Sequence, residues 1–237
     1  MSITDDVKVD TRITPALHPG VVENIDGYGD DTKDVLAQVM TAFSTAYENV
    51  RSVWDAREKV EQDTSKTADA RLLQLDGFAA KKLESATRTF DATSARITTT
   101  IRYLEGELAQ PIAEKASGSV AAEIRAHAKS LPTDKLHQLI SDAVDGGDSL
   151  TVGAVLMGPA YLSGLTPDLQ KTYLKHWNQK QRPDVAKRLH VLQQAKAMLD
   201  RDAGKVFVAM EKAVGGTSTK ARQVRLAQMA ADKATSA

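Results

Sequence analysis

The chain has 237 residues, of which 42% are apolar and 26% are charged, so it can build one large packed domain or two small ones. Its 31 basic and 31 acidic side chains cancel, which disfavours a protein that coats nucleic acid with positive charge. It has no cysteine, which excludes disulfides, thiolate metal sites and a cysteine nucleophile. With 14 glycines, 7 prolines and 5% aromatic residues, the composition favours helices over sheets.

Residues 1–30 are predicted to form an extended acidic arm. Prolines and glycines interrupt any regular element, and six acidic against two basic side chains give this segment a net charge of −4. A segment of this composition does not bury enough apolar surface to order itself, so we expect it to contact neighbouring subunits. The acidic start at Asp5 and Asp6 is not followed by an apolar core, so no secretory signal is expected.

A long amphipathic helix is predicted to begin at Asp31 or Thr32, either of which is a suitable N-cap. Beyond it, one stripe recurs at alternating steps of three and four residues, with Arg57 as its only polar member. The apolar members are Leu36, Val39, Phe43, Ala46, Val50, Val53 and Val60. This spacing is typical of helices that pack side by side. Tyr47 and Trp54 widen the stripe, which favours a bundle core over a ligand site.

A second long helix is predicted from about Lys66 to Gln110, where large apolar residues repeat every seven positions. The turn is expected at residues 62–65 with Thr64 or Ser65 as the new cap, although one continuous helix is the alternative, since no glycine or proline marks the turn. Residues 31–116 are thus predicted to form a long antiparallel, coiled-coil-like hairpin in which Arg57 and Asp76 pair. The predicted helix-packing residues are Leu36, Phe43, Val50, Trp54, Leu83, Phe90, Ile97 and Leu104.

Residues 117–216 are predicted to form a compact domain of shorter helices, which makes the whole chain all-α. Start signals stand at Asp148 or Ser149, at Thr166–Pro167 and at Arg182–Pro183, and the last helix is expected to end at Gly215–Gly216. The longest uncharged stretch, residues 149–167, is broken by glycines and prolines. It is therefore interpreted as buried soluble helices, and no contact with a membrane is expected.

Residues 217–237 are predicted to form a basic tail with four basic and one acidic side chain, in which Thr219 could cap a short helix. Lys220, Arg222 and Arg225 are the candidate contact residues. Their partner could be the acidic arm of a neighbouring copy. It could also be a phosphate backbone, because basic side chains bind phosphates without reading sequence. The tail lacks aromatic residues for stacking on bases.

No catalytic, cofactor-binding or metal-binding residue stands out, so we expect no cofactor and no enzymatic activity. The five histidines are isolated, and Asp142, Asp145 and Asp148 do not have the alternating spacing of a calcium loop. The glycine-rich stretch 215–220 lacks the second glycine of a phosphate loop and follows a helix instead of a strand. A helical enzyme remains an alternative without a candidate set of residues.

The segments Gly147–Leu156 and Pro159–Thr166 resemble part of a group of uncharacterised helical proteins from tailed bacteriophages and prophages. The two segments together contain 18 of the 237 residues. It implies a virion structural protein at the capsid, the portal or the head–tail junction, made in the host cytoplasm and contacting copies of itself and other virion proteins. The alternatives are an internal scaffolding or ejected virion protein, and a nucleic-acid-binding protein that uses residues 217–237.

Overall fold

The computed structural model describes residues 8–235, except the side chain of Ser218, and throughout that range it is all-α, as predicted. The predicted arm residues Asp5 and Asp6 lie outside the described residues. Four short 3-10 turns occur at Pro15–Leu17, Pro19–Asn24, Glu114–Ala116 and Ala160–Leu162. The eight α-helices described are α1 (Lys33–Glu61), α2 (Ala68–Ala113), α3 (Ser119–Ser130), α4 (Thr133–Gly146), α5 (Ser149–Leu156), α6 (Pro167–Gln181), α7 (Pro183–Val214) and α8 (Ser218–Thr235).

The chain divides into two compact units. Unit 1 consists of residues 1–98 and 191–237, and unit 2 consists of residues 99–190. Both boundaries fall inside long helices, α2 and α7, so the division differs from the one predicted at residues 116 and 117. Each of the two helices continues without interruption through its boundary. The apolar pattern of the sequence therefore shows no break at these points.

In unit 1, residues 8–30 are folded onto α1 and are not the extended arm that was predicted. Ile13, Leu17, Val22 and Ile25 are all at least 96% buried, and both 3-10 turns of this segment contact α1. The prediction was wrong because the net charge hid four well-spaced aliphatic residues. The prolines and glycines that interrupt a helix also shape the turns that bring these residues inward.

Helices α1 and α2 contact one another with their chain directions opposed. The rings of Phe43 and Phe90 lie 5.2 Å apart, and the Asn49 side chain donates a hydrogen bond of 3.1 Å to the carbonyl oxygen of Lys82. Asn49 follows Phe43 in α1, whereas Lys82 precedes Phe90 in α2, so the two helices run antiparallel. This register brings the two predicted apolar stripes together in unit 1.

Two details at the ends of α2 differ from the prediction. The helix begins at Ala68, and the hydroxyl of Thr67 accepts a hydrogen bond from the amide of Ala70, so Thr67 takes the capping role expected of Thr64 or Ser65. At the other end, Pro111 lies inside the helix, which continues to Ala113. Ile112 is completely buried in the core of unit 2, and this packing favours one more helical turn despite the proline.

In unit 2, the punctuation in the sequence marks the helices well. Asp148 caps α5 by accepting hydrogen bonds from the amides of Leu150 and Thr151, and Thr166 caps α6 by accepting one from the amide of Leu169. Gly147 ends α4 in the left-handed conformation that glycine adopts without strain. Both cap predictions are confirmed, because each depends on neighbouring residues alone.

The core of unit 2 surrounds α5, whose residues Val152–Leu156 are all buried. Arg125 of α3 donates hydrogen bonds to the carbonyl oxygens of Ala116 and Ala154, at 2.8 and 3.2 Å. Gln170 of α6 donates to the carbonyl oxygens of Leu156 and Gly158, at 2.8 and 2.7 Å. These side chains satisfy carbonyl groups at helix ends, which would otherwise lack partners.

Candidate interaction surfaces

The structure places most of the predicted helix-packing residues in the protein interior. Leu36, Phe43 and Val50 of α1 are completely buried, whereas Trp54 and Leu83 are half-buried at the edge of unit 1. Among them, Phe43 joins α1 to α2 within one chain through its ring contact with Phe90. The remaining buried members are Phe90 and Ile97 in unit 1 and Leu104 in unit 2.

Trp54 lies between two guanidinium groups. Those of Arg12 and Arg57 are 5.7 and 5.5 Å from the centre of its ring, within the range of cation–π attraction. Arg12 also forms ion pairs with Asp10, Asp55 and Glu58 at 2.6–2.7 Å, which raises its pKa through hydrogen bonds to carboxylates. Trp54 and Arg12 therefore fasten the N-terminal segment to α1.

The ion pair predicted between Arg57 and Asp76 is absent. Arg57 pairs with Glu61 of its own helix at 2.7 Å, and Asp76 pairs with Arg225 of α8 at 2.8 Å. The sequence could not show this arrangement, because it depends on α8 lying beside the start of α2. Arg225 thus contacts its own chain, while the other two predicted contact residues of the tail, Lys220 and Arg222, are exposed.

One side of helix α8 faces its own chain and is partly covered by it, and the opposite side is exposed to solvent. Ala221 is buried and Val224 is half-buried beside the start of α2. The exposed side carries Arg222, Leu226, Met229 and Lys233, which follow one another at steps of four, three and four residues. At 100° per residue these four fall within about 60° of one another around the helix axis, so they form one stripe. We call them the α8 stripe.

Helix α7 has a comparable exposed stripe within unit 1. Asp200, Gly204, Phe207 and Glu211 follow the same steps of four, three and four residues, and all four are exposed. Beside them Val208 is 67% exposed, and Phe207 itself is 49% exposed. We call Asp200, Gly204, Phe207 and Glu211 the α7 stripe. The sequence pattern did not single out this stripe.

One carboxylate on α7 is fully buried. Asp202 receives hydrogen bonds from Arg201 at 2.7 and 3.0 Å, and the Lys205 ammonium lies 2.6 Å from it. Burial raises the pKa of this carboxyl, but the hydrogen bonds from Arg201 and Lys205 outweigh burial and leave the pKa below its ordinary value. Asp202 is therefore a charged structural group of unit 1.

One short polar contact between helices of unit 2 joins His137 and Tyr173. The Nδ1 atom of His137 and the hydroxyl oxygen of Tyr173 are 2.5 Å apart, and burial raises the pKa of Tyr173. The pair links α4 to α6 beside the core residue Trp177. Spacing along the sequence could not reveal it, because the two residues lie 36 positions apart.

Within residues 8–235, no group of three or more histidine and acidic side chains is arranged to hold a metal ion. The same part of the chain contains no helix that is both long enough and apolar enough to cross a bilayer. The α8 stripe and the α7 stripe each combine exposed apolar side chains with charged ones.

Comparison with models of protein families, with curated proteins and with solved structures finds no match to this chain.

Proposed function

We propose that this chain is a non-enzymatic structural protein of a tailed-phage particle, and that it acts by presenting helix surfaces to neighbouring proteins of the particle. The observation that carries the proposal is the α8 stripe, where two apolar side chains, Leu226 and Met229, are 56% and 62% exposed between two cations. Exposed apolar side chains rimmed by charge are typical of surfaces that bind other proteins. The phage setting rests on the sequence resemblance at residues 147–166.

The contact element of this proposal is α8 and not the N-terminal arm. Residues 8–30 pack on α1 of their own chain, so they have little apolar surface to offer a neighbour. Helix α8 contacts its own chain through the side that carries Ala221 and Val224, which leaves the α8 stripe facing solvent. The segment that resembles phage proteins is different again, since it supplies the core of unit 2 and supports the fold.

The test is whether the chain is part of purified particles. Phage would be induced from the organism that encodes the chain, purified on density gradients, washed at high salt and analysed by quantitative mass spectrometry. We expect the chain in mature particles at a fixed low copy number, and we expect Arg222→Glu/Lys233→Glu to reduce its incorporation. The matched control is Lys59→Glu/Lys81→Glu, which makes the same change of charge at exposed residues of α1 and α2. Absence from particles would contradict the proposal.

The same purification separates a connector from a scaffold. A scaffolding protein would be abundant in immature particles and depleted from mature ones, whereas a connector or capsid-associated protein keeps one stoichiometry in both. An ejected protein would be lost from particles together with the DNA. Each outcome selects one role within the particle.

Nucleic-acid binding is a second candidate, favoured by the exposed cations Lys220, Arg222 and Lys233 on one short helix. Binding through phosphates weakens steeply with salt, at nearly one power of salt concentration for each phosphate contacted. A titration of duplex DNA over roughly 50–200 mM salt tests it. Binding that is unchanged by Arg222→Glu/Lys233→Glu would exclude this helix as the site.

A further inference from the structure

The α8 stripe and the α7 stripe match each other residue by residue. In each stripe two charged residues stand eleven positions apart. The two residues between them follow the first charged residue by four and by seven positions. The outer positions are cations in α8 (Arg222 and Lys233) and acids in α7 (Asp200 and Glu211). Along a helix the outer positions are separated by about 16 Å in both cases, so both charge pairs form in one alignment.

The inner positions match as well. Leu226 and Met229 of α8 would lie against Gly204 and Phe207 of α7. A Cβ atom added at Gly204 would meet no other atom within 4 Å, so this position is a shallow gap that a large side chain from another helix can fill. The match holds for parallel and for antiparallel helices, because the charged positions are placed symmetrically at the ends of each stripe.

We propose that the α8 stripe of one chain docks on the α7 stripe of a second copy of this chain. The inference rests on the proposed function in one respect, since it takes α8 as the contact element and names what α8 contacts. All eight positions of the two stripes are exposed to solvent within the chain itself. Two α8 stripes would not pair with each other, because each carries two cations.

This contact joins different surfaces of the two copies, so each copy keeps one unused stripe of each kind. Such a head-to-tail contact repeats, and it builds a ring if the rotation between copies closes or a filament if it does not. A symmetric dimer would instead use the same surface on both copies. The proposed contact therefore predicts assemblies larger than two.

The ion pair that Asp200 already forms on α7 does not prevent the contact. Asp200 forms an ion pair of 2.6 Å with Lys196, four residues earlier, and the Asp200 side chain is still 55% exposed. An exposed pair of this kind contributes little free energy, so the Asp200 carboxylate can accept a second cation at small cost. Asp200 would then be shared between Lys196 and the cation of the neighbouring copy.

The experiment uses two complementary variants of the full chain. The first, Arg222→Glu/Lys233→Glu, makes both stripes acidic. The second, Asp200→Lys/Glu211→Lys, makes both stripes basic. Light scattering during size-exclusion chromatography measures the mass of each protein alone and of an equimolar mixture, and circular dichroism confirms that each is folded.

We expect the natural chain to form assemblies larger than a dimer, and each variant alone to dissociate at concentrations at least tenfold higher than the natural chain does. Mixing the two variants should restore large assemblies, because the acidic α8 stripe of the first then meets the basic α7 stripe of the second, and the reverse pair matches too. The control Lys59→Glu/Lys81→Glu should assemble like the natural chain. Restoration by mixing does not depend on how well either variant folds relative to the other.

Three results would overturn the inference: a natural chain that is monomeric at high concentration, variants that assemble normally, or no recovery in the mixture. A different result would show that α8 folds back on α7 of its own chain. In that case the chain is monomeric, each pair of substitutions alone lowers its stability, and all four together restore it. Particle analysis separates this inference from the proposed function. A monomeric chain found in phage particles keeps the function and rejects the inference, whereas an assembling chain absent from particles does the opposite.

Discussion

The α-carbon of Gly153 in α5 packs against the main-chain carbonyl oxygen of Ile112 in α2, with no room between them for a side chain. A Cβ atom at position 153 would overlap that oxygen and would also come within 2.9 Å of the Cβ atom of Lys115. Main-chain atoms of α2 cannot move aside as a flexible side chain does. Glycine at this position therefore sets how closely α5 approaches α2 in unit 2.

We predict that Gly153→Ala destabilises unit 2 by about 2 kcal/mol or more, because overpacking a core against main-chain atoms forces a backbone shift. The matched control is Gly106→Ala on α2, where an added Cβ meets no atom within 4 Å. There alanine should stabilise the helix by about 0.5–1 kcal/mol. Urea unfolding followed by Trp177 fluorescence in a Trp54→Phe background reports on unit 2, since Trp177 belongs to its core. Equal effects of the two substitutions would contradict the close-approach explanation.

A second prediction concerns the apolar contact between α1 and α2. Phe90→Ala should destabilise unit 1 by about 3–5 kcal/mol, because the ring is 96% buried against Phe43. Leu83→Ala, on the same predicted stripe, should cost only about 1 kcal/mol because Leu83 is half-buried. Trp54 fluorescence in a Trp177→Phe background measures both. Similar losses for the two variants would mean that the stripe is packed uniformly.

A third prediction concerns Asp202 and pH. Asp202→Asn should destabilise unit 1 by about 2 kcal/mol at pH 7, because an amide does not replace the charged hydrogen bonds to Arg201 and Lys205. The pKa of this carboxyl is lower in the folded chain than its ordinary value of 3.8, so its stabilising contribution is complete above that value. It is lost as pH falls through the folded pKa, below 3.8. The two proteins should therefore differ at neutral pH and converge in acid.

The measurement for Asp202 is a set of urea unfolding curves between neutral and acidic pH, again followed by Trp54. Asp91→Asn serves as the control, because Asp91 is an exposed carboxylate of α2 in the same unit. A constant difference between natural chain and Asp202→Asn at all pH values would show that the effect is one of shape and not of charge.

A fourth prediction concerns Arg225 and Asp76. A double-mutant cycle with Arg225→Ala and Asp76→Ala should give a coupling free energy of at most about 1 kcal/mol, because the pair is partly exposed. The coupling should fall as salt rises, which thermal unfolding at low and high salt measures. A coupling several times larger would mean that α8 is held to α2 chiefly by this pair.

Local signals in the sequence predicted the helix ends of unit 2 because they act over three or four residues. Asp148 and Thr166 cap their helices through amides two and three positions away, so no knowledge of the rest of the chain is needed. The heptad repeat likewise predicted that Phe43 and Phe90 would be buried. Each capping residue lies within three positions of its partner, and the heptad repeat can be read from the helix itself.

Features that depend on distant segments escaped prediction. The burial of Ile13 and Leu17 depends on α1 being nearby. The partner of Asp76 was predicted on α1 but lies 149 residues away on α8. Polar pairing is decided by the last few ångströms of packing, which an amphipathic pattern does not specify.

The folded N-terminal segment also changes how the chain should respond to proteases. An enzyme that cleaves after basic residues would have to separate Arg12 from three carboxylates and lift Ile13 out of the interior before its active site could close on the chain. Cleavage after Arg12 therefore requires local opening, and its rate reports the opening equilibrium of this segment. Lys8, only four positions earlier, is exposed.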